Sequence, residues 1–300
     1  MKALIPLAGR GTRLLPHTAK RQKALLPIGG KAVLDHVLEP LIAAGITEVS
    51  LVIGHLGDQI REHMAKYSNL RVTFVEQPLQ QGLGEAVFLA LVEEAEPVAV
   101  VLADTIFGLD FSEFITQGGN IIGVIEVDDP RQFGVVEVAG HRVVEMVEKP
   151  EEPRSNLAIA GIYRIDDQRQ LRQALATIVE GKIKTKGEYQ LTDALNLMVE
   201  QGERFMTYQV DRWLDCGTPE TLLATNADLL EDMDGQFIHP EATVERSTVR
   251  SSSIMENCRV VDTVLENCIV LPGASLEKCR IRNEIVKEST ELKGYVSGGA

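Results

Sequence analysis

What this chain of 300 residues lacks narrows what it can be. No uninterrupted apolar stretch approaches the roughly 20 residues needed to cross a bilayer. The first residues run straight into a short apolar strand, with no cleavable apolar segment behind a basic flank, so a cytoplasmic protein is expected. Basic residues are outnumbered, 30 Lys and Arg against 44 Asp and Glu, for a net charge of −14. That surface argues against general binding to nucleic acid or to an anionic membrane, and leaves room for a local basic pocket. Cysteine is sparse too. Cys216, Cys258, Cys268 and Cys279 include no C-x-x-C pair and no zinc spacing. The last three recur in near-repeats, where stacked small apolar side chains account for them better than a metal cluster does.

Two common phosphate loops are also missing. No Gly-Lys-Ser/Thr follows the first glycines, and the G-x-G-x-x-G spacing does not occur there. What stands in their place, from Lys2 to Pro27, is KALIPLAGRGTRLLPHTAKRQKALLP. Ala3 to Leu7 reads as a buried strand. It runs into Gly9-Arg10-Gly11-Thr12-Arg13, a turn too glycine-rich and too basic for a core. Glycines let backbone N–H groups approach a ligand closely, and Arg13 adds a fixed, permanently charged fork suited to phosphate oxygens. Lys23 lies further along the same loop, before the apolar run Ala24 to Ile28.

This segment resembles the opening motif of the sugar-1-phosphate nucleotidyltransferases, A-G-(G)-x-G-T-R-L-x-P followed by K-x-L-x-P. It stands here as Ala8 to Pro16 and Lys23 to Pro27. The resemblance implies that Leu7, Ala8, Gly9, Gly11, Thr12 and Arg13 hold the nucleotide and its phosphates, with Lys23 near the α-phosphate.

The remaining chain alternates strands and helices. Helices are expected at Lys31 to Ala44, Leu56 to Lys66, up to about Glu94, Gln168 to Glu180, Leu191 to Gln201 and Pro219 to Leu230. Strands are expected at Glu48 to Gly54, Arg71 to Glu76, Pro97 to Leu102 and Phe205 to Val210, and four β-rich stretches fall between Ile121 and Ile165. The pattern predicts an α/β fold with a doubly wound, mostly parallel, Rossmann-like sheet, whose ligands sit at the carboxyl ends of the strands. Asp104 emerges at one such end, where a helix cap is an equal reading.

Later motifs extend the resemblance. Gln77-Pro78 through Gly82 is similar to the loop that contacts the base through glutamine and glycine. The amide of Gln77 can both donate and accept, as pairing with a pyrimidine edge requires. Phe133-Gly134-Val135-Val136, Glu148-Lys149-Pro150 and Ser155 to Tyr163 resemble Y-G-V-V, E-K-P and S-N-x-A-x-x-G-x-Y. They imply sugar-phosphate contacts by Gly134, Glu148, Lys149 and Ile159; the family's tyrosine is Phe133 here. Gly187 to Asp193 matches G-E-x-Q-L-T-D, although Glu188 and Asp193 also serve as first-turn charges on a helix. Trp213 to Thr218 matches W-x-D-x-G-T. By the resemblance Asp104 and Asp215 hold Mg²⁺, and Arg13, Lys23 and Lys149 do the catalytic work.

From Phe237 to Leu292, branched apolar residues recur every five or six positions, as in the hexapeptide repeats of a left-handed β-helix. The expected division is a catalytic segment, 1–233, and a small β-helix, 234–300, with a frayed end. The resemblance implies transfer of a nucleotidyl group, from dTTP or UTP, to a sugar 1-phosphate, glucose 1-phosphate foremost, in a homo-oligomer without nucleic-acid or membrane partners. A purine nucleotide or mannose 1-phosphate, a non-catalytic regulatory subunit and an acyltransferase role for the tail stand as alternatives.

Overall fold

The computed structural model describes residues 1–297. The chain opens with β1 (Lys2–Pro6), two single 3-10 turns at Thr12–Leu14 and Lys23–Leu25, and the hairpin β2 (Pro27–Ile28) and β3 (Lys31–Ala32). Then follow α1 (Val33–Ala43), β4 (Glu48–Ile53), α2 (Gly57–Met64), β5 (Arg71–Glu76), α3 (Leu83–Ala90), β6 (Val98–Val101), β7 (Thr105–Gly108) and α4 (Phe111–Thr116). Next come β8 (Asn120–Glu126), β9 (Gly134–Ala139), β10 (Arg142–Glu148) and β11 (Leu157–Ile165). The series ends with α5 (Gln168–Glu180), α6 (Leu191–Glu200), β12 (Phe205–Gln209), β13 (Arg212–Asp215) and α7 (Pro219–Leu230).

Contacts divide the chain into two compact units that cut across sequence order. One comprises Met1–Gly9, Val37–Ala103 and Phe107–Trp213; the other comprises Arg10–His36, Asp104–Ile106 and everything from Leu214 onward.

The first unit is built on a nine-stranded sheet in the order β5-β4-β1-β6-β11-β8-β12-β10-β9. The pairings make seven strands run one way, with β10 and β11 opposed. The mostly parallel sheet expected from the sequence is thus present, and the β-rich stretch after Ile121 extends it. β6, VAVV, is buried on both faces, as a central strand between helical layers must be. Its core includes Leu4, Val52, Val87, Val100, Tyr163, Leu175, Leu195 and Phe205. The helices begin at readable signals: the Asp110 side chain caps α4 and the Asp167 side chain caps α5.

Some boundaries differ from expectation. α3 stops at Ala90, not near Glu94, because Leu91 turns extended and the Val92 N–H is taken by the Gln168 side chain. α1 starts at Val33, because Lys31 and Ala32 pair with Ile28 and Pro27. β7 and α4 are additional elements, and the apolar run at Ala24 folds as a 3-10 turn before its short strand.

The second unit contains the β-helix. Its strands pair in parallel at a constant offset of 16: Gln236 with Ser252, Thr243 with Arg259, Thr248 with Val264, Val264 with Arg280 and Ser275 with Glu291. One coil therefore takes 16 residues over three faces, shorter than three hexapeptides. The corners recur at the same interval, with left-handed backbone at Arg246, Asp262 and Lys278 and at Ser251, Asn267 and Asn283. Ile254, Val260, Leu265, Val270, Leu276 and Ile281 stack inside.

All four cysteines are free and buried. The Cys258 thiol donates to the Leu271 carbonyl and the Cys268 thiol to the Ile281 carbonyl, which is the packing role expected of them. Ile269, Leu271 and Ile285 on the outside of the coils share a second core with Leu14, Leu26, Ile28, Leu222 and Leu223. The opening loop, α7 and the β-helix thus fold around common apolar contacts. The end expected to be frayed is hydrogen-bonded through Ser297, whose hydroxyl accepts from the Arg282 N–H at 2.6 Å; residues 298–300 lie outside the described residues.

Candidate active site

The residues predicted for the triphosphate and the metal beyond Gly9, namely Gly11, Thr12, Arg13, Lys23, Asp104 and Asp215, fall in the second unit. Gly11 stands at φ 64°, and a Cβ there would lie 2.9 Å from the Lys23 Cβ and 3.1 Å from the Thr18 Cγ2. Glycine is therefore required both by the left-handed turn and by the close passage of the chain past Lys23. The Thr18 hydroxyl donates to the Gly11 carbonyl at 2.8 Å, and the Leu14 N–H donates to the same oxygen, closing the loop into its 3-10 turn. Thr12 and Arg13 sit exposed on that turn. Arg13 forms no ion pair with any described residue.

Lys23 Nζ lies 2.7 Å from Asp104 Oδ2, with side-chain exposures of 20% and 29%. The lysine's charge is the main cause that holds the Asp104 carboxyl below its ordinary value, against burial, which works the other way. Asp104 precedes β7 and Asp215 ends β13, and the Cys216 N–H donates to the Asp104 carbonyl at 2.8 Å. Burial first, then the charges of Asp215 and Asp104, push the Cys216 thiol up, so both carboxylates act on one sulfur. Asp215 Oδ1 accepts from the Gly217 N–H at 3.2 Å. A Cβ on Gly217 would meet that oxygen at 3.0 Å and Arg13 Nη2 at 3.5 Å, so guanidinium and carboxylate flank one glycine. Thr218 then opens α7 through a capping box with Thr221 and with Pro219 at the first helical position.

Among the described residues no cluster of three or more His, Cys, Asp or Glu is placed to enclose a metal. Two carboxylates with no third ligand suit Mg²⁺, which commonly takes one or two protein carboxylates and completes its shell with water and substrate phosphates. Asp104 and Asp215 fit that donor set.

The first unit holds the other predicted residues. Leu7, Ala8 and Gly9 follow β1; the Leu7 N–H donates to the Val52 carbonyl, and the Gln80 amide donates to the Ala8 carbonyl at 2.6 Å. Gln77, after β5, is 5% exposed. Its amide nitrogen donates to the Gly82 carbonyl at 3.2 Å and to Glu85 Oε2 at 2.9 Å. The donor half of this amide, expected to serve in pairing with a base, is thus engaged within the protein. Gly82, at φ 121°, has the Tyr189 carbonyl where a Cβ would stand, which only glycine tolerates.

A third group forms around Gly134 at the start of β9. A Cβ there would meet Ile159 Cδ1 at 3.0 Å, Thr192 Oγ1 at 3.1 Å and Glu148 Oε2 at 3.2 Å. The Thr192 hydroxyl donates to Glu148 Oε2 at 2.7 Å, and Lys149 Nζ lies 3.6 Å from Glu148 Oε1. Lys149 has φ 45°, and its N–H donates to the Phe133 carbonyl. Phe133 packs edge-on against Trp213, with ring centroids 5.1 Å apart. Sequence reasoning passed over Thr192, although it lies inside the G-E-Y-Q-L-T-D stretch; a hydroxyl beside two candidate acids was the available signal.

Residues 2–232 match the family described as Nucleotidyl transferase. Among curated proteins, the bifunctional protein GlmU of Methanococcus vannielii is 33% identical over 241 residues, covering 78% of this chain and 56% of the relative. The glucose-1-phosphate thymidylyltransferase of Streptomyces antibioticus is 31% identical over 278 residues, covering 88% of this chain and 75% of the relative. The chain spans little more than half the length of the GlmU proteins it matches. Among solved structures, a Bacillus anthracis protein provisionally described as a glucose-1-phosphate thymidylyltransferase superimposes with a TM-score of 0.66 at 29% identity, covering 76% of this chain and 95% of that one.

Proposed function

The chain belongs to the nucleotidyl transferase family, and from that premise we propose that it transfers a nucleotidyl group from a nucleoside triphosphate to a sugar 1-phosphate, releasing pyrophosphate. Residues 1–233 carry the reaction in this reading, and 234–300 support it structurally. The observation that carries it is the grouping of an unpaired Arg13 with the Lys23–Asp104 pair and with Asp215, in one compact unit. Two cations and two carboxylates in that arrangement suit a polyphosphate accompanied by a divalent metal.

A phosphate oxygen of the sugar 1-phosphate attacks the α-phosphorus; the bond from that phosphorus to the bridging oxygen breaks, and pyrophosphate leaves with the electron pair. No proton has to move and no covalent enzyme intermediate is needed, so positioning and charge neutralisation supply the catalysis. Arg13 and the loop amides hold the triphosphate and receive the charge developing on pyrophosphate. Lys23 leaves Asp104 for the α-phosphate. Glu148, oriented by Thr192, accepts from sugar hydroxyls, and Lys149 holds the sugar's phosphate. Asp104 and Asp215 would hold Mg²⁺, which when bound would neutralise part of the crowded phosphate charge.

Glucose 1-phosphate with dTTP or UTP is the favoured pair, in keeping with the thymidylyltransferase from Streptomyces antibioticus. The test is pyrophosphate release from a panel of nucleoside triphosphates, each with glucose, mannose, galactose or N-acetylglucosamine 1-phosphate and Mg²⁺. Release with one pair names the substrates, and silence across the panel rejects the proposal.

A further inference from the structure

We propose that Glu85 selects the nucleotide base indirectly, by locking the side-chain amide of Gln77 so that it presents only its carbonyl oxygen to the ligand. The proposal deepens the reading above and rests on it in one respect, that Gln77 meets the base. Amide oxygen and nitrogen are ordinarily interchangeable in placement. Here the chemistry fixes them. An ionised carboxylate accepts hydrogen bonds and donates none, so the Gln77 atom 2.9 Å from Glu85 Oε2 must be the NH₂ group. The same group reaches the Gly82 carbonyl, also an acceptor only. Both amide hydrogens are thereby used.

Gln77 Oε1 accepts no hydrogen bond among the described residues, yet it is not sealed from solvent. It is the single polar atom that this otherwise buried side chain keeps for a partner. Glu85 is itself held in place. Gln81 donates to it twice, from the backbone N–H at 3.3 Å and from the side-chain amide, which reaches Oε1 at 2.6 Å. Lys184 Nζ lies 3.4 Å from Gln81 Oε1, which fixes the Gln81 amide in turn. The backbone that carries the set is pinned by the Tyr189 N–H to the Gln81 carbonyl and the Gly84 N–H to the Tyr189 carbonyl, each at 2.8 Å.

An acceptor locked in this way wants an N–H opposite. Uracil, thymine and guanine carry a protonated ring nitrogen beside a carbonyl. Cytosine and adenine carry a bare ring nitrogen there, and would set lone pair against lone pair and leave a buried acceptor unpaired. The Gly82 N–H makes no hydrogen bond among the described residues. The site therefore takes a lactam base, and Glu85 is its positioning residue.

Equilibrium binding of UTP, dTTP, GTP, CTP and ATP, each with Mg²⁺, tests this in three proteins. Wild type should hold at least one lactam nucleotide about tenfold or more tighter than CTP and ATP. Glu85→Gln leaves only the longer 3.2 Å contact to the Gly82 carbonyl to hold the Gln77 amide, and the preference should fall to within about threefold. The exchanged pair Gln77→Glu with Glu85→Gln keeps a forced acceptor at position 77 and should restore the preference, a rescue that loss of folding would not produce. An unchanged preference in Glu85→Gln, or a failure of the exchange to restore it, overturns the proposal while the transfer reaction stands. Absence of nucleotide binding by wild type sinks both.

Discussion

Replacing Lys23 by Met separates what the lysine does for the empty protein from what it does for the reaction. In the structure its ammonium sits 2.7 Å from Asp104 Oδ2, and both side chains are less than a third exposed. A charge-assisted bond in that setting contributes about 1.5–3 kcal/mol, and removing one partner leaves a carboxylate with only part of its solvation. Urea unfolding at pH 7 should show a loss in that range. The sign of the pH dependence follows from the Asp104 carboxyl, which is held below its ordinary 3.8 by Lys23. Stability from a depressed carboxyl is fully present above the unfolded value and lost as pH falls through the folded one. Wild type and variant should therefore converge as the solution is taken below pH 3.8. Removing the ammonium also removes the cation that a metal has to displace, so Mn²⁺ should bind the nucleotide-free variant on the order of tenfold more tightly. Turnover should fall by about 10²–10³, the usual cost of one phosphate-directed charge. Equal Mn²⁺ affinity together with equal stability at pH 7 would refute the argument that Lys23 occupies the metal carboxylate at rest.

Other substitutions report on neighbouring parts. Asp215→Ala should abolish metal-dependent turnover without unfolding the protein, checked by pyrophosphate release alongside circular dichroism; unchanged turnover contradicts a metal role. Thr192→Val removes the hydroxyl bonded to Glu148 and should raise the KM for the sugar phosphate several-fold, leaving nucleotide affinity unchanged. The His17 imidazole is held below 6.5 by burial and then by the charge of Lys287. A base that resists protonation only when folded costs stability as pH falls below 6.5, so His17→Gln should flatten that part of the stability profile. The four buried thiols should resist a water-soluble thiol reagent until denaturant is added, Cys216 included, since its thiol is pushed up by burial and two carboxylates.

The parts of the site that were legible in the sequence are those where chemistry dictates residue type. Gly11 cannot carry a side chain beside Lys23, and Thr218-Pro219 can do little but start a helix. The sheet was legible for a related reason: runs such as VAVV have nowhere to go but the interior. What escaped depends on partners distant in sequence. The end of α3 is set by Gln168, 76 positions away from Val92, and no local propensity records that. The β-helix shows the same limit in a milder form. Its inward residues announce a repeat, but the coil length of 16 is fixed by left-handed corners, which Asp262 and Asn267 signal by residue type and Arg246, Ser251 and Lys278 do not.

On the proposed reading, Gln77 makes the limit functional. A glutamine in a base-binding loop reads, from sequence alone, as a group able to pair with any base edge, because its amide can face either way. Glu85, eight residues on and in the first turn of α3, removes that freedom together with the Gly82 carbonyl. Selectivity of this kind resides neither in the residue that meets the ligand nor in its motif. It resides in the second residue that decides which of two chemically opposite faces the first one shows. Relatives that keep a glutamine at this point and change its carboxylate partner should therefore differ in base preference while their motif stays intact.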